Sequence, residues 1–240
     1  MTATSPDHAA RREELAANLE QVRARIASAC TKVGRDPGEV TLVVVTKFFP
    51  ASDVRLLAEL GVTDVGENRH QEAEAKAHEC AALDLRWHFI GGLQSNKAAA
   101  VASYADVVES VDRVKVARGL QRGAHERGRN LDVLLQVSLD PPDTSGRAGV
   151  DPDELEALAA EVAGLGSLRL AGLMAVAPLG EDPAAAFGRL AGIRSGFLTT
   201  HPGATALSAG MSDDLEAALH AGATHVRVGS AILGPRPGDK

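Results

Sequence analysis

The chain alternates between short β-branched apolar runs and amphipathic stretches along nearly its whole length. The clearest apolar run is Val43-Val44-Val45, which is followed closely by Lys47 and Pro50. An unbroken β-branched run predicts a strand that is buried on both faces, as in a parallel sheet. Ahead of this run, apolar residues recur at three- and four-residue spacing from about His8 to Val33, which predicts a helix.

Eight strand-then-helix units follow this first helix. The strands are predicted at about 40–47, 63–66, 86–90, 106–110, 131–138, 168–176, 204–207 and 225–228, and the eighth helix is expected to be short or absent. Eight parallel units in a chain of this length predict an α/β protein with a single (β/α)8 TIM barrel and an extra N-terminal helix. The barrel domain is expected to span residues 8–236, after a disordered N-terminus at residues 1–7.

Residues that cap helices support these boundaries. Asp112, Ser212 and the Asp151-Pro152 pair are expected to start helices, and Pro183 opens another. The alternative fold is a doubly wound open sheet, but no predicted strand is followed by the GxGxxG turn with which such a sheet binds a dinucleotide. The barrel is therefore the preferred prediction.

Composition and charge argue against several classes of function for this protein. The formal net charge of −7 argues against nucleic-acid binding, which depends on cationic side chains that displace counterions from phosphates. Cys30 and Cys80 lie in helix-like sequence without a CxxC pair or metal-ligand spacing, which fits a reducing cytoplasm. The N-terminus has no signal-peptide pattern, and no apolar run is long enough to span a membrane. We expect a soluble, cytoplasmic protein.

Lys47 stands at the C-terminal end of the first predicted strand, where α/β folds carry their chemistry. Lysine is scarce in the chain, and arginine supplies most of the positive charge. A lysine in this place suggests an amine used as a Schiff-base nucleophile. The structural alternative is a lysine that ends the strand and pairs with a carboxylate, and this stretch by itself favours neither interpretation.

The ends of the last two strands suggest a phosphate site, because barrels often bind a phosphate with the loops after strands seven and eight. Ser208 offers a hydroxyl, Gly210 permits close approach of the backbone, and Gly229 and Ser230 follow the eighth strand. A helix that opens at Ser212 would add free N–H groups, although a serine there is better explained as a helix cap. For Ser208, Gly229 and Ser230 together we favour phosphate binding.

A reactive lysine and a phosphate site in one barrel mouth suit a phosphorylated aldehyde cofactor, and pyridoxal 5′-phosphate (PLP) fits this description. Arg227 lies two residues before Gly229 on the same face of its strand and is placed to face the pyridine nitrogen. An arginine there would donate to an unprotonated ring nitrogen, which weakens the ring as an electron sink. The alternative for Arg227 is an ion pair at the edge of the core.

One longer stretch, Trp87-His-Phe-Ile-Gly-Gly-Leu-Gln-Ser-Asn-Lys97, resembles the hallmark of the PLP homeostasis proteins of the YggS/PROSC type. The resemblance extends over nearly the whole chain, and the matching segments are Val45-Thr-Lys47, Gly66-Glu-Asn68, Gly146-Arg-Ala-Gly149, Gly172-Leu-Met174, Leu207-Ser-Ala-Gly-Met-Ser-Asp-Asp214 and Val226-Arg-Val-Gly-Ser230. The departures are mild: Ala209, Ser230 and Arg147 stand where methionine, threonine and lysine are common.

The resemblance implies a single barrel like the N-terminal domain of alanine racemase, with PLP held as a Schiff base on Lys47. The cofactor-binding residues that it implies are Lys47, Asn68, Ser208, Met211, Arg227, Gly229 and Ser230. The implied function is a carrier or buffer that keeps free PLP low and affects the balance of amino acids and keto acids. Its expected partners are PLP and apo PLP-dependent enzymes.

Robust catalytic turnover is not expected, since a two-base racemase needs a second base opposite the lysine. Tyr104 is the only tyrosine and precedes the fourth strand, at the wrong end of the barrel, and His88 lies inside a strand. A PLP-dependent racemase of low activity is the alternative function, and a class I aldolase that acts on a phosphosugar is a third. A lone barrel, without the β domain that alanine racemase adds, is expected to be a monomer.

Overall fold

The computed structural model describes residues 6–141 and 149–236, and the strands within them form one closed parallel barrel. The strands are β1 (Thr41–Val45), β2 (Asp64–Glu67), β3 (Arg86–Phe89), β4 (Val107–Val111), β5 (Leu131–Gln136), β6 (Leu168–Met174), β7 (Ala206–Ser208) and β8 (His225–Val228). β8 closes the barrel against β1, with Arg227 opposite Val43. The predicted (β/α)8 barrel is confirmed.

A helix follows every strand, and one extra helix precedes the first strand. The helices are α1 (Pro6–Lys32), α2 (Ala51–Glu59), α3 (His70–Glu79), α4 (Ala98–Ala102), α5 (Val114–Arg127), α6 (Leu155–Ala163), α7 (Pro183–Thr200), α8 (Leu215–His220) and α9 (Ser230–Leu233). The extra helix α1 packs against α8 and α9 with its apolar face buried. The eighth helix of the barrel, α9, is a single short turn, as predicted.

The interior of the barrel explains the unbroken apolar runs in the sequence. Every residue of β2, β4 and β5 is buried, because the inner face meets the barrel core and the outer face meets the helices. A few polar side chains are nevertheless buried in the strands of the barrel, and they include Glu67, His88, Glu109, Ser208 and Arg227. Since buried polar groups need partners, these side chains mark the place where the barrel departs from a purely apolar core.

Two predicted helix caps are wrong. α5 begins at Val114 after Arg113, and the Asp112 carboxylate instead accepts a hydrogen bond from the Arg113 guanidinium at 2.5 Å. α8 begins at Leu215, so Ser212 lies three residues ahead of the helix. The intervening segment forms its own turn, in which Asp214 Oδ1 accepts a hydrogen bond from the Met211 amide at 2.6 Å.

The remaining expectations concern the chain termini and the cysteines. α1 already includes residues 6 and 7, while the disorder predicted for residues 1–5 falls outside the described residues. The predicted loop at Gly146 and Arg147 also lies outside them. Cys30 and Cys80 are free and buried. None of the described helices is both long enough and apolar enough to cross a lipid bilayer.

Candidate functional site

The carboxyl ends of β1 and β8 open into a cavity of about 220 Å³ at the mouth of the barrel. Five of the seven predicted cofactor-binding residues line this cavity: Lys47, Met211, Arg227, Gly229 and Ser230. The other residues that line it include Phe48, Phe49, Ile90 and Arg236. The mouth therefore brings together an amine, two guanidinium groups, a carboxylate, two hydroxyls and several apolar side chains.

Lys47 lies in the turn that follows β1, and its side chain is half-buried. Within the described residues it makes no hydrogen bond and no ion pair, so the predicted alternative of a lysine paired with a carboxylate is not what the structure contains. Burial, together with the nearby Arg236 and Arg69, lowers the pKa of Lys47, and Glu67 partly opposes this. An unpaired amine with a lowered pKa is suited to nucleophilic attack.

The residue after Lys47 has an unusual backbone conformation. Phe48 has a φ of 72°, which is uncommon for a bulky residue because its Cβ meets the backbone in the left-handed region. The guanidinium groups of Arg69 and Arg236 each lie 4.9 Å from the centroid of the Phe48 ring. These cation–π contacts hold the ring and place two positive charges beside the amine.

A buried set of hydrogen bonds lies beneath this turn. Thr46 Oγ1 donates to Glu67 Oε1 at 2.6 Å, and the Phe48 amide donates to Glu72 Oε1 at 2.5 Å. Lys76 Nζ donates to both of these carboxylate oxygens and also to the Thr46 carbonyl oxygen. The sequence shows Glu72 and Lys76 as an i,i+4 pair on one helix, but it gives no sign that this pair faces the barrel mouth.

Arg227 is fixed from two sides in the barrel interior. It is 4% exposed, and its Nη1 donates to Ser208 Oγ at 2.6 Å while its Nη2 donates to the Ala175 carbonyl oxygen at 2.9 Å. Burial lowers the pKa of Arg227, and the carboxylates of Glu109 and Asp214 oppose this. An arginine remains charged in a protein, so Arg227 presents a rigid cation to the cavity.

Glu109 provides the counter-charge for Arg227 and links it to His88. Glu109 accepts hydrogen bonds from Ser208 Oγ at 2.6 Å and from His88 Nδ1 at 2.8 Å. Burial by itself would raise the pKa of Glu109, but His88 and Arg227 lower it to about 2. His88 Nε2 in turn donates to Asp64 at 2.9 Å, and the two carboxylates raise the pKa of His88 despite its burial. His88 is thus a core histidine with both ring nitrogens satisfied.

The other two predicted residues do not line the cavity. Ser208 is fully buried, and its hydroxyl is engaged by Glu109 and Arg227. Asn68 is exposed beyond the end of β2. Ser230, by contrast, lies at the mouth, and its hydroxyl donates to Ser212 Oγ at 3.3 Å. Of the predicted phosphate site, Gly229 and Ser230 are accessible to a ligand, and Ser212 joins them.

A larger cavity of about 880 Å³ lies at the opposite end of the barrel, around the start of β3. Its guanidinium groups are already paired, since Arg127 and Arg129 both lie within 3.5 Å of Asp106. Tyr104 lines this cavity, which confirms its expected place at the end away from Lys47, and burial raises the pKa of its hydroxyl. The smaller cavity at the mouth is therefore the candidate site, because it holds the unpaired amine.

Comparison with known proteins agrees with this fold. The chain matches the family described as alanine racemase, N-terminal domain, over residues 12–237. The pyridoxal phosphate homeostasis protein of Pseudomonas aeruginosa is 43% identical, over 92% of this chain and 96% of the relative. The protein of the same name from Mycobacterium bovis is 42% identical, over 94% of each chain.

A solved structure of PipY from Synechococcus elongatus, with PLP bound, has a TM-score of 0.80 and 36% identity. The match covers 92% of this chain and 100% of PipY. The chain therefore belongs to the alanine racemase N-terminal domain family and, within it, to the pyridoxal phosphate homeostasis proteins.

Proposed function

We propose that this protein binds PLP at the barrel mouth, as a Schiff base on Lys47, and acts as a carrier or buffer in PLP homeostasis. The observation that carries the proposal is the unpaired, half-buried Lys47 amine in a cavity that also holds the fixed cation of Arg227. Two relatives named pyridoxal phosphate homeostasis protein and the PLP-bound PipY support it.

The residues that line the cavity have the chemistry that PLP requires. The amine of Lys47 can bond to the aldehyde carbon, and the Arg227 guanidinium can donate to the pyridine nitrogen. Ser230 and Ser212 offer adjacent hydroxyls to a phosphate, and the chain after β8 approaches closely because Gly229 has no side chain: a Cβ there would lie 3.1 Å from the Val45 carbonyl oxygen. Bound PLP would supply the aldehyde and the aromatic ring, and the protein would supply these contacts.

A carrier fits the site better than an efficient catalyst does. Among the described residues that line the cavity, the ionisable side chains are those of Lys47, Asp213, Arg227 and Arg236. Asp213 is exposed, and none of the described residues that share the cavity with Lys47 is a tyrosine or a histidine. A second base held rigidly opposite the amine, as two-base racemisation needs, is therefore missing from the described lining.

An open mouth suits a protein that releases its ligand. Met211 at the rim is 40% exposed. We propose that PLP passes from this site to apo PLP-dependent enzymes in the cytoplasm, and that the effect on amino-acid and keto-acid balance follows from that supply. We propose that the protein acts as a monomer, because the described residues that line the cavity all belong to one barrel.

The absorption spectrum of the protein with added PLP tests the binding step. We expect a yellow imine band that is lost in Lys47→Ala and kept in Lys115→Ala, whose lysine is exposed on α5. A protein that takes up no PLP would contradict the proposal. Transfer is tested by the rate at which the loaded protein activates an apo-enzyme, compared with free PLP at the same concentration.

A racemase assay with alanine and other amino acids separates the carrier from a catalyst. We expect no sustained turnover by the PLP-loaded protein. Sustained turnover that is lost in Lys47→Ala would replace the carrier by a PLP-dependent racemase.

A further inference from the structure

We propose that Lys76 is a positioning residue: by engaging the carboxylates of Glu67 and Glu72, it keeps them from pairing with Lys47 and leaves the Lys47 amine free. The inference rests on the proposed function, in which that amine binds PLP. Lys76 does not line the cavity, and it is not among the residues predicted to contact the cofactor.

The two carboxylates bracket Lys47 in the chain. Glu67 is hydrogen-bonded to the side chain of the residue before Lys47, and Glu72 to the amide of the residue after it. The carboxylates are thus bonded to both residues that flank Lys47, yet Lys47 itself pairs with neither. The partner of both is Lys76 Nζ, at 2.7 Å from Glu67 Oε1 and 2.6 Å from Glu72 Oε1.

The ion pair between Lys76 and Glu67 is buried, so it matters which amine neutralises the Glu67 carboxylate. The Lys76 side chain is 7% exposed and that of Glu67 is 1% exposed, so neither charge is solvated by bulk water. The other oxygen of Glu67, Oε2, is buried and has no hydrogen-bond partner among the described residues. Burial raises the pKa of Glu67, and Lys76 opposes this. Without the Lys76 ammonium, the Glu67 carboxylate would lose its counter-charge and, at the alkaline pH at which it is ionised, would favour the charged form of any amine nearby.

Lys47 is the amine that would respond. Glu67 already opposes the lowering of the Lys47 pKa that burial, Arg236 and Arg69 produce. The other charged groups that face the cavity are Asp213 and Arg227, and Lys76 forms a hydrogen bond or an ion pair with neither of them. Loss of Lys76 should therefore raise the pKa of Lys47 and reduce the fraction of neutral amine at a given pH.

The experiment measures the reactivity of individual lysines toward acetic anhydride across a pH range, in the protein without PLP, with mass spectrometry of the labelled peptides. Exposed Lys115 is the internal reference. In Lys76→Met we expect the midpoint for Lys47 to rise by about one pH unit, which is about tenfold lower reactivity below the midpoint. Lys76→Arg keeps the cation and should leave the midpoint near the wild-type value.

A double variant makes the test specific to charge. In Lys76→Met combined with Glu67→Gln, the uncompensated carboxylate is gone, so the Lys47 midpoint should return toward the wild-type value. If Lys76→Met does not fold, Lys76→Gln takes its place with the same expectation, because glutamine can donate to the Thr46 carbonyl oxygen but carries no charge. A midpoint that does not move when the charge is removed overturns the inference, even if the melting temperature falls.

Uptake of PLP by the wild-type protein, measured separately, tells the two proposals apart. If the wild type takes up no PLP, the proposed function fails, and the labelling of the PLP-free protein still decides the role of Lys76. If the wild type binds PLP and the Lys47 midpoint is the same in Lys76→Met, the inference about Lys76 alone fails.

Discussion

The guanidinium of Arg227 and the carboxylate of Glu109 lie 3.7 Å apart inside the barrel, and the hydroxyl of Ser208 is hydrogen-bonded to both. Beyond Glu109 the charges continue to alternate through His88 to Asp64, near the other end of the strands. Each member therefore has an oppositely charged neighbour. This pairing keeps a cation buried at the cavity without leaving a charge uncompensated.

Replacement of Glu109 by glutamine should be strongly destabilising. The substitution preserves shape but leaves His88 and Arg227 as buried cations without their shared counter-charge. Removing one partner of a buried ion pair costs about 3–5 kcal/mol of unfolding free energy, to be measured by urea denaturation at pH 7. Glu126→Gln, at an exposed position of α5, is the control and should change stability by less than about 0.5 kcal/mol. Equal effects of the two substitutions would contradict the charge-pairing argument.

The Glu109 carboxylate should also make the stability of the protein depend on pH. The pKa of Glu109 is about 2 in the folded protein, compared with 4.5 for the unperturbed group. A lowered pKa contributes stability that is present above pH 4.5 and is lost as the pH falls toward 2. Because one pKa unit corresponds to about 1.4 kcal/mol, the loss attributable to Glu109 is about 3 kcal/mol. Urea midpoints between pH 6 and pH 2 should fall less steeply in Glu109→Gln than in the wild type.

Two serines that the sequence places together in a phosphate site should behave differently. Ser230 lines the cavity, so Ser230→Ala should weaken PLP binding by about 2- to 10-fold, the value of one hydrogen bond, with little change in stability. Ser208 is buried between Glu109 and Arg227, so Ser208→Ala should lower the unfolding free energy by about 1–3 kcal/mol. PLP titrations and thermal melts of both variants measure the two effects. If Ser208→Ala weakened PLP binding and left stability unchanged, the result would favour the direct phosphate contact that the sequence suggests.

The periodicity of the sequence was enough to predict the barrel and the end of the barrel at which the chemistry lies. Parallel strands in a barrel all point their carboxyl ends to one side, so an amine after β1 and an arginine in β8 must share one mouth. Lys47 and Arg227 could therefore be brought together from positions 180 residues apart without knowledge of any contact.

Contacts between side chains could not be predicted in this way. Ser208 reads as an available hydroxyl at a strand end, and only the packing of the interior reveals that Glu109 and Arg227 already use it. Lys76 reads as an ordinary helical lysine, since i,i+4 pairs with glutamate are usually on the surface. The positive φ of Phe48 has no signal in the sequence, because aromatic residues rarely adopt that conformation.

The two glycines of the hallmark segment allow a matched test of how the mouth is built. Gly91 is buried, and a Cβ added there would lie 2.2 Å from the Asn68 carbonyl oxygen. Gly92 is exposed, and a Cβ added there would meet no atom within 4 Å. The first glycine thus permits the β3 end to approach the β2 end closely, whereas the space around the second imposes no such requirement.

Gly91→Ala should therefore push Asn68 away and lower the unfolding free energy by about 1–3 kcal/mol, the usual cost of overpacking. Gly92→Ala should be neutral within about 0.5 kcal/mol, as expected for an exposed position. Urea denaturation of both variants measures the difference, and PLP titration shows whether displacement of Asn68 also disturbs the mouth. If both alanine variants were as stable as the wild type, that result would contradict a close approach of the β2 and β3 ends that requires glycine at position 91.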